Sequence, residues 1–190
     1  MILSKFKLIL KNLIDIVPGL MALYRHNRDY FIKFQKPKKT KWNFLFAGNE
    51  SMSSGQFEIE ETEIIRKHFK DCDLLINIGA NIGYYCCHAL SLGLQVVAVE
   101  PLNSNLNLLM KNITVNGWND KTHIFPVALG KKNGISQIWG SGTGASLTEG
   151  WANIPKNFSS YTPVLSLDQI INNEFQKKKK FYLIDVEGHE

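Results

Sequence analysis

Cysteine is scarce in this chain: three in 190 residues, at Cys72, Cys86 and Cys87. Two of the three are adjacent on a stretch that reads as helix, so no disulfide framework can be drawn. A reducing, cytoplasmic setting is the expectation. Long apolar runs are missing as well. Residues 2 to 23 hold many Leu and Ile, but Lys5, Lys7, Lys11 and Asp15 interrupt them and Pro18-Gly19 breaks the run. A membrane-spanning helix needs about 20 unbroken apolar residues, and a secretory leader needs an apolar core with a small-residue cleavage site; neither pattern is found. Apolar residues at 2, 3, 6, 9, 10, 13, 14 and 17 instead share one helical face. Packing against the domain or a partner is the expected use of that face, with peripheral contact along a membrane surface as the alternative. Internal repeats are absent, which excludes repeat architectures.

Charge of one sign does not dominate. The net charge is +5, and the excess is local, in Lys36, Lys38, Lys39 and Lys41 and again in Lys177 to Lys180. These clusters read as solvated loops, with phosphate or membrane contact as the lesser alternative. His26, His68, His88 and His123 have no metal-ligand spacing and read as structural or exposed. At 44% hydrophobic the chain can build one sizeable core. The expected division is an N-terminal helical and loop extension over residues 1–50 and one domain over 51–190.

What the chain does have is concentrated in Leu74-Leu-Ile-Asn-Ile-Gly-Ala-Asn-Ile-Gly83 and Gln95-Val-Val-Ala-Val-Glu-Pro101. An apolar run enters a tight glycine loop, a helix follows, and a second apolar run ends in an acid. That order marks a nucleotide-type site in a doubly wound sheet. An acid ending the second parallel strand is placed to accept hydrogen bonds from two ribose hydroxyls, and Glu100 is that residue. Strands are expected at 73–78, 95–100, 123–129 and 181–186, and helices at 57–69, 82–92 and 104–115. Residues 48–55 read as loop, and 131–165 as a hairpin with a mobile loop. Ser166 and Gln169 form a capping-box pattern opening a short helix through Ile171. Near-continuous apolar strands alternating with helices predict an α/β fold with a parallel sheet covered on both faces. Right-handed crossovers then bring Asn77, Glu100, Leu129 and Asp185 to one edge and one cleft.

Two further absences narrow the ligand. The dinucleotide fingerprint G-x-G-x-x-G fails, because Asn81 and Tyr84 stand where its second and third glycines belong. The phosphate loop G-x-x-x-x-G-K-[ST] is absent too; Gly140 to Gly144 is followed by no lysine and reads as a flexible loop. A ligand without phosphates suits this loop. S-adenosylmethionine is one: a ribose for Glu100, and an amino-acid tail whose carboxylate accepts from N–H groups at the loop and helix start. Trp118, Trp139 and Trp151 either line an acceptor pocket or pack in the core.

The ordered set Gly55-Gln-Phe-Glu58, Asn77-Ile-Gly-Ala-Asn-Ile-Gly83, Val99-Glu-Pro101, Asn112 with Asn116-Gly117, Val127-Ala-Leu-Gly130, Ala145-Ser-Leu147, Ser166-Leu-Asp168 and Asp185-Val-Glu-Gly-His-Glu190 resembles the FkbM family of S-adenosylmethionine-dependent methyltransferases. The resemblance covers residues 44 to 190. It implies a class I, Rossmann-like fold with a doubly wound, mostly parallel sheet, apparently truncated after the fourth core strand. It also implies methyl transfer, usually to a hydroxyl of a sugar, polyketide or other small natural product. Carried over, Gly79, Ala80, Asn81 and Gly83 line the methionine part, Glu100 holds the ribose, Ala128 and Leu129 lie near the adenine, and Asp185 sits beside the reacting centre. The family commonly has aspartate where this chain has Asn77. Loss of that charge is expected to weaken cofactor binding by about 1 kcal/mol.

A hydroxyl acceptor benefits from a general base, and the candidates are Asp185, Glu187, His189 and Glu190. Asp185 is the choice for positioning and His189 for the base, its ordinary pKa being the more suitable. The same acids could hold a cation that binds a substrate diol; equally, Glu187 or Glu190 could cap a following helix. Nucleic-acid methylation is disfavoured: Asp185-Val-Glu-Gly188 stands in place of an (N/D)-P-P-(Y/F) signature, no Pro-Cys nucleophile exists, and an acidic cleft repels a phosphate backbone. The alternative is a catalytically degenerate cofactor- or partner-binding module. Because the sequence stops at Glu190, within the acidic motif, a fragment or truncated product is expected, poorly stable alone, with strand 181–186 on a sheet edge.

Overall fold

The computed structural model describes residues 35–140, 145–148, 159–171 and 173–186. The helical face at 2–17, Trp151, Glu187, His189 and Glu190 lie outside the described residues.

Two short strands, β1 (Lys38–Lys39) and β2 (Leu45–Phe46), pair antiparallel. They lead to α1 (Glu50–Ser54) and α2 (Ile59–Phe69). The alternating part follows as β3 (Leu74–Ile78), α3 (Tyr84–Ser91), β4 (Gln95–Val99), α4 (Asn103–Thr114) and β5 (Thr122–Phe125). Then come β6 (Ala128–Leu129), β7 (Gly134–Trp139), β8 (Ser159–Leu165), α5 (Leu167–Ile170), α6 (Asn173–Gln176) and β9 (Lys180–Ile184).

The main sheet has the order β5-β4-β3-β9, and every pairing in it is parallel. All of β3 is buried, as a strand covered on both faces must be. On one face Leu75, Val96 and Ala98 meet Phe69, Ala89, Leu90, Leu106, Leu109 and Ile113 from α2, α3 and α4. On the other, Leu74, Ile76, Ile78, Val97 and Val99 meet Val127, Ile170 and Phe175. Each such aliphatic side chain contributes roughly 1.5–3 kcal/mol when fully buried. This is the doubly wound arrangement expected.

Four local expectations are corrected. Residues 50–54 are helical rather than loop: Asn49 Oδ1 accepts from the Met52 N–H at 3.0 Å, and Gly55, at φ 77°, ends the turn. The helix after the glycine loop begins at Tyr84 and not at Ile82, because Gly83 is left-handed at φ 84°. The strand expected over 123–129 is two strands in different sheets. Pro126 has no N–H for a ladder, the Val127 N–H turns back to the Phe125 carbonyl at 2.9 Å, and Ala128–Leu129 pairs instead with β8. The capping box does not form: Ser166 is the N-cap of α5 but makes no side-chain cap bond.

β8 joins β6 in parallel and β7 antiparallel, completing a second sheet of order β6-β8-β7. The β7–β8 pair is the hairpin expected within 131–165.

The segment ahead of residue 50 is bound to the domain by two amides four residues apart, Asn112 on α4 and Asn116 just beyond its end. Asn112 accepts from the Ala47 N–H at 2.7 Å and donates to the Ala47 and Ile82 carbonyls at 3.0 and 2.9 Å. Asn116 accepts from the Leu45 N–H and donates to the Leu45 carbonyl, both at 2.8 Å. Phe44, Phe46 and Ala47 are buried with Tyr84, Cys87 and Leu108.

Candidate functional site

From β3 the chain winds outward in both directions, to β4 on one side and eventually to β9 on the other. Such a reversal opens a crevice beyond the strands' carboxyl ends. The glycine loop fills that position. Gly79, Asn81 and Gly83 all have left-handed backbones, at φ 81°, 51° and 84°. The Gly79 and Ala80 N–H groups donate to the Val99 carbonyl at 2.9 and 3.0 Å, tying the loop to the end of β4. On the opposite side the Asp185 N–H donates to the Ile78 carbonyl at 2.9 Å. A Cβ on Gly79 would run into the Asp185 carbonyl oxygen, so only glycine permits this approach of loop to strand end.

Glu100 lies one strand across. Its N–H donates to the Phe125 carbonyl at 3.1 Å. Its carboxylate is nearly enclosed, at 4% exposure. Oε2 accepts from the Asn81 N–H at 2.7 Å. Oε1 accepts from the Leu102 N–H at 3.0 Å and from Asn105 Nδ2 at 3.1 Å. Burial raises the carboxyl's pKa above the ordinary value, while the donors from Leu102, Asn81 and Asn105 act against the rise. The acid thus organises the protein's own loop.

Asn77, also buried, donates to Cys86 Sγ at 3.4 Å on α3. Burial pushes the Cys86 thiol up to about 12, so it stays protonated. Ala128 and Leu129 follow Phe125 by one turn of backbone and belong to the second sheet. Asp185 is exposed at the end of β9. The structure therefore brings Gly79, Ala80, Asn81, Gly83, Glu100 and Asp185 together. Asn77 bonds to α3, and Ala128 and Leu129 adjoin through Phe125.

Sequence reasoning missed Asn105 and the Leu102 N–H. An amide five residues beyond an acid, one turn into the next helix, was the available signal. It also gave Asn112 no role, although that side chain supports the loop through the Ile82 carbonyl.

The residues suit S-adenosylmethionine in kind. The first turn of α3 has N–H groups without intrahelical partners and no side-chain cap at Gly83, which fits a carboxylate. The Glu100 carboxylate is the kind of acceptor a ribose hydroxyl needs, and glycine at 79 lets the loop lie against the end of β9.

A four-stranded parallel sheet with its glycine loop at the reversal and an acid one strand over is the class I, Rossmann-like methyltransferase fold. Within that class the chain belongs to the FkbM methyltransferase domain family, whose model matches residues 77–190. Membership implies S-adenosylmethionine as the cofactor. Among solved structures the chain is similar to methyltransferase FkbM from Methylobacillus flagellatus KT, at 14% identity, covering 90% of this chain and 43% of that one, with a TM-score of 0.41. It is also similar to an S-adenosylmethionine-dependent methyltransferase from Agrobacterium tumefaciens (15% identity, 50% and 33% covered, TM-score 0.39). A third is an O-methyltransferase family protein from Burkholderia thailandensis (13% identity, 57% and 37% covered, TM-score 0.34). The chain spans less than half the length of each. No curated protein matches it. Among the described residues no helix is long and apolar enough to cross a membrane.

Proposed function

We propose that this protein is an S-adenosylmethionine-dependent methyltransferase acting on a hydroxyl oxygen of a sugar or other small natural product. The observation that carries the reading is the left-handed loop Gly79–Gly83, bonded on one side to the ribose acid Glu100 and abutting Asp185 on the other. Bound there, the cofactor would supply its sulfonium methyl group, the S–CH3 bond breaking as the O–CH3 bond forms, with the neutral thioether leaving and the hydroxyl proton passing to a base. Glu100 holds the ribose, and the loop with the first turn of α3 orients the amino-acid end. Holding the reacting atoms in line is the main catalytic contribution. Asp185 positions the acceptor hydroxyl at the open end of β9, and His189 or Glu187 takes its proton.

The test is calorimetric titration of S-adenosylmethionine into the full chain, with NAD and a Glu100→Ala variant as controls. Binding of S-adenosylmethionine alone, lost in Glu100→Ala, is expected. No binding by a folded sample favours the degenerate module. In Asp185→Asn, cofactor binding is expected to persist while methyl transfer falls by about 100-fold or more; full activity would end the role given to Asp185.

A further inference from the structure

We propose that the hairpin of β1 and β2, with the residues before it, docks this protein on the surface of an anionic lipid bilayer. Charge is divided unevenly along the chain. Residues 1–41 hold ten of its 22 Lys and Arg but two of its 17 Asp and Glu, a net +8, while residues 42–190 carry −3. Such an asymmetry marks a segment that meets anionic material.

Lys36, Lys38, Lys39 and Lys41 are the described part of that excess, and all four are exposed. The loop read there from the sequence is a hairpin. Lys38 and Lys39 form β1, opposite Phe46 and Leu45. The Thr40 N–H closes the turn on the Phe44 carbonyl at 2.8 Å. Asn112 and Asn116 fix the returning strand, and Lys111 Nζ donates to the Gln35 carbonyl at 2.7 Å. Lys41 reaches back to the Gly55 carbonyl at 3.2 Å. Among the described residues no carboxylate pairs with Lys36, Lys38 or Lys39. The hairpin thus displays three unneutralised ammonium groups on a fixed backbone, which leaves little backbone entropy to lose on docking. The neighbouring sequence favours a bilayer over a nucleic acid. Lys5, Lys7 and Lys11 stand among apolar residues at 2, 3, 6, 9, 10, 13, 14 and 17, one helical face by spacing. A phosphate backbone has no use for such a face. A bilayer buries it among the headgroups, and its strength of binding adds that apolar area to the attraction of lysine for anionic lipid.

The experiment is co-sedimentation of the full chain with vesicles of phosphatidylcholine alone and of phosphatidylcholine with about 30% phosphatidylglycerol. Binding is expected to be about tenfold or more tighter to the anionic vesicles, and to weaken as salt is added. Each lysine near such a surface is worth about fivefold, so Lys36→Gln, Lys38→Gln and Lys39→Gln together are expected to lose about 100-fold. The control carries the same change of charge elsewhere, Lys177→Gln, Lys178→Gln and Lys179→Gln together, and is expected to bind as the wild type does. Urea unfolding of both variants separates lost docking from lost folding. Binding to neither vesicle, or equally to both, overturns the proposal. Equal losses in the two triple variants overturn it too, because overall charge and not the hairpin is then read. Tighter binding to duplex RNA or DNA than to the anionic vesicles overturns it in favour of a nucleic acid.

Discussion

Strands β3 and β9 are paired along the same five rungs, from Leu74↔Lys180 to Ile78↔Ile184, yet every residue of β3 is buried and none of β9 is. β3 lies between two neighbours and under helices on both sides. β9 is the outer strand of the described sheet, and Tyr182 and Ile184 are 45% and 53% exposed. The two strands deliver the two halves of the proposed site. β3 ends in the glycine loop, which Val99, Glu100 and Asn112 hold through at least four hydrogen bonds. β9 leads into Asp185, whose N–H donates to the Ile78 carbonyl. The cofactor half is thus over-determined by the core. The acid half follows the outer strand of the described sheet, where Tyr182 and Ile184 stay open to water.

The sharpest way to break the contrast is Gly79→Ala, which attacks the seam between the two strand ends. A left-handed Ala adds roughly 1–2 kcal/mol, and the collision with the Asp185 carbonyl adds a packing cost of roughly 1–3 kcal/mol. A loss of about 3 kcal/mol in unfolding free energy is expected, read by urea denaturation. A value near that of a surface Gly→Ala change would show that the strand ends are not in contact.

A smaller effect tests how far the cofactor half is sealed. His88 on α3 is fully buried against Trp42, Phe44 and Tyr84, with Arg66 Nη1 2.8 Å from its Nδ1. Arginine carries only donors, so Nδ1 is the acceptor and Nε2 carries the proton. Among the described residues Nε2 has no hydrogen-bond partner. Burial first, then Arg66 and Lys41, lower the His88 pKa from 6.5 to about 3. Below about pH 6.5 the unfolded chain binds a proton that the folded one refuses, so stability is full above that pH and falls as the pH drops toward 3. Between pH 7 and pH 5 the loss from this residue is about 2 kcal/mol. His88→Gln is expected to remove that portion of the slope in parallel urea titrations; an unchanged slope would mean that the ring is accessible to protons.

The smallest effect is on the open side. Tyr182→Thr is expected to change stability by no more than about 0.5 kcal/mol, because half of the side chain already meets water. It should lower concentration-dependent association in sedimentation runs, since exposed apolar edge strands pair with one another. A loss of several kcal/mol would show that β9 is as buried as β3.

Legibility in the sequence follows the same division. β3, β4 and the glycine loop could be read because a strand covered on both faces must be a continuous apolar run, and because a left-handed loop selects for glycine. Glu100 could be located, but not its partners: whether a carboxylate faces a ligand or three N–H groups depends on how Asn81 and α4 close over it. The break at Pro126 was available as a proline in a strand, yet the apolar Val127-Ala-Leu129 beyond it masked the change of sheet. The helix at 50–54 is almost free of apolar residues, so only its two caps mark it. The bonds from Asn112 and Asn116 to residues 45 and 47 join positions about 70 apart in the chain, beyond the reach of any local pattern.

Those two asparagines bear on where this protein can be cut. They grip the peptide groups of Leu45 and Ala47 as a neighbouring strand would, and Phe44 and Phe46 ride into the core with them. A gene trimmed to start at residue 77, where the family match begins, would strip Asn112 and Asn116 of the peptide groups of Leu45 and Ala47 and open the aromatic nest around His88 to solvent. For anyone exchanging modules between related enzymes, the stretch from about residue 38 travels with the sheet as one inheritable piece.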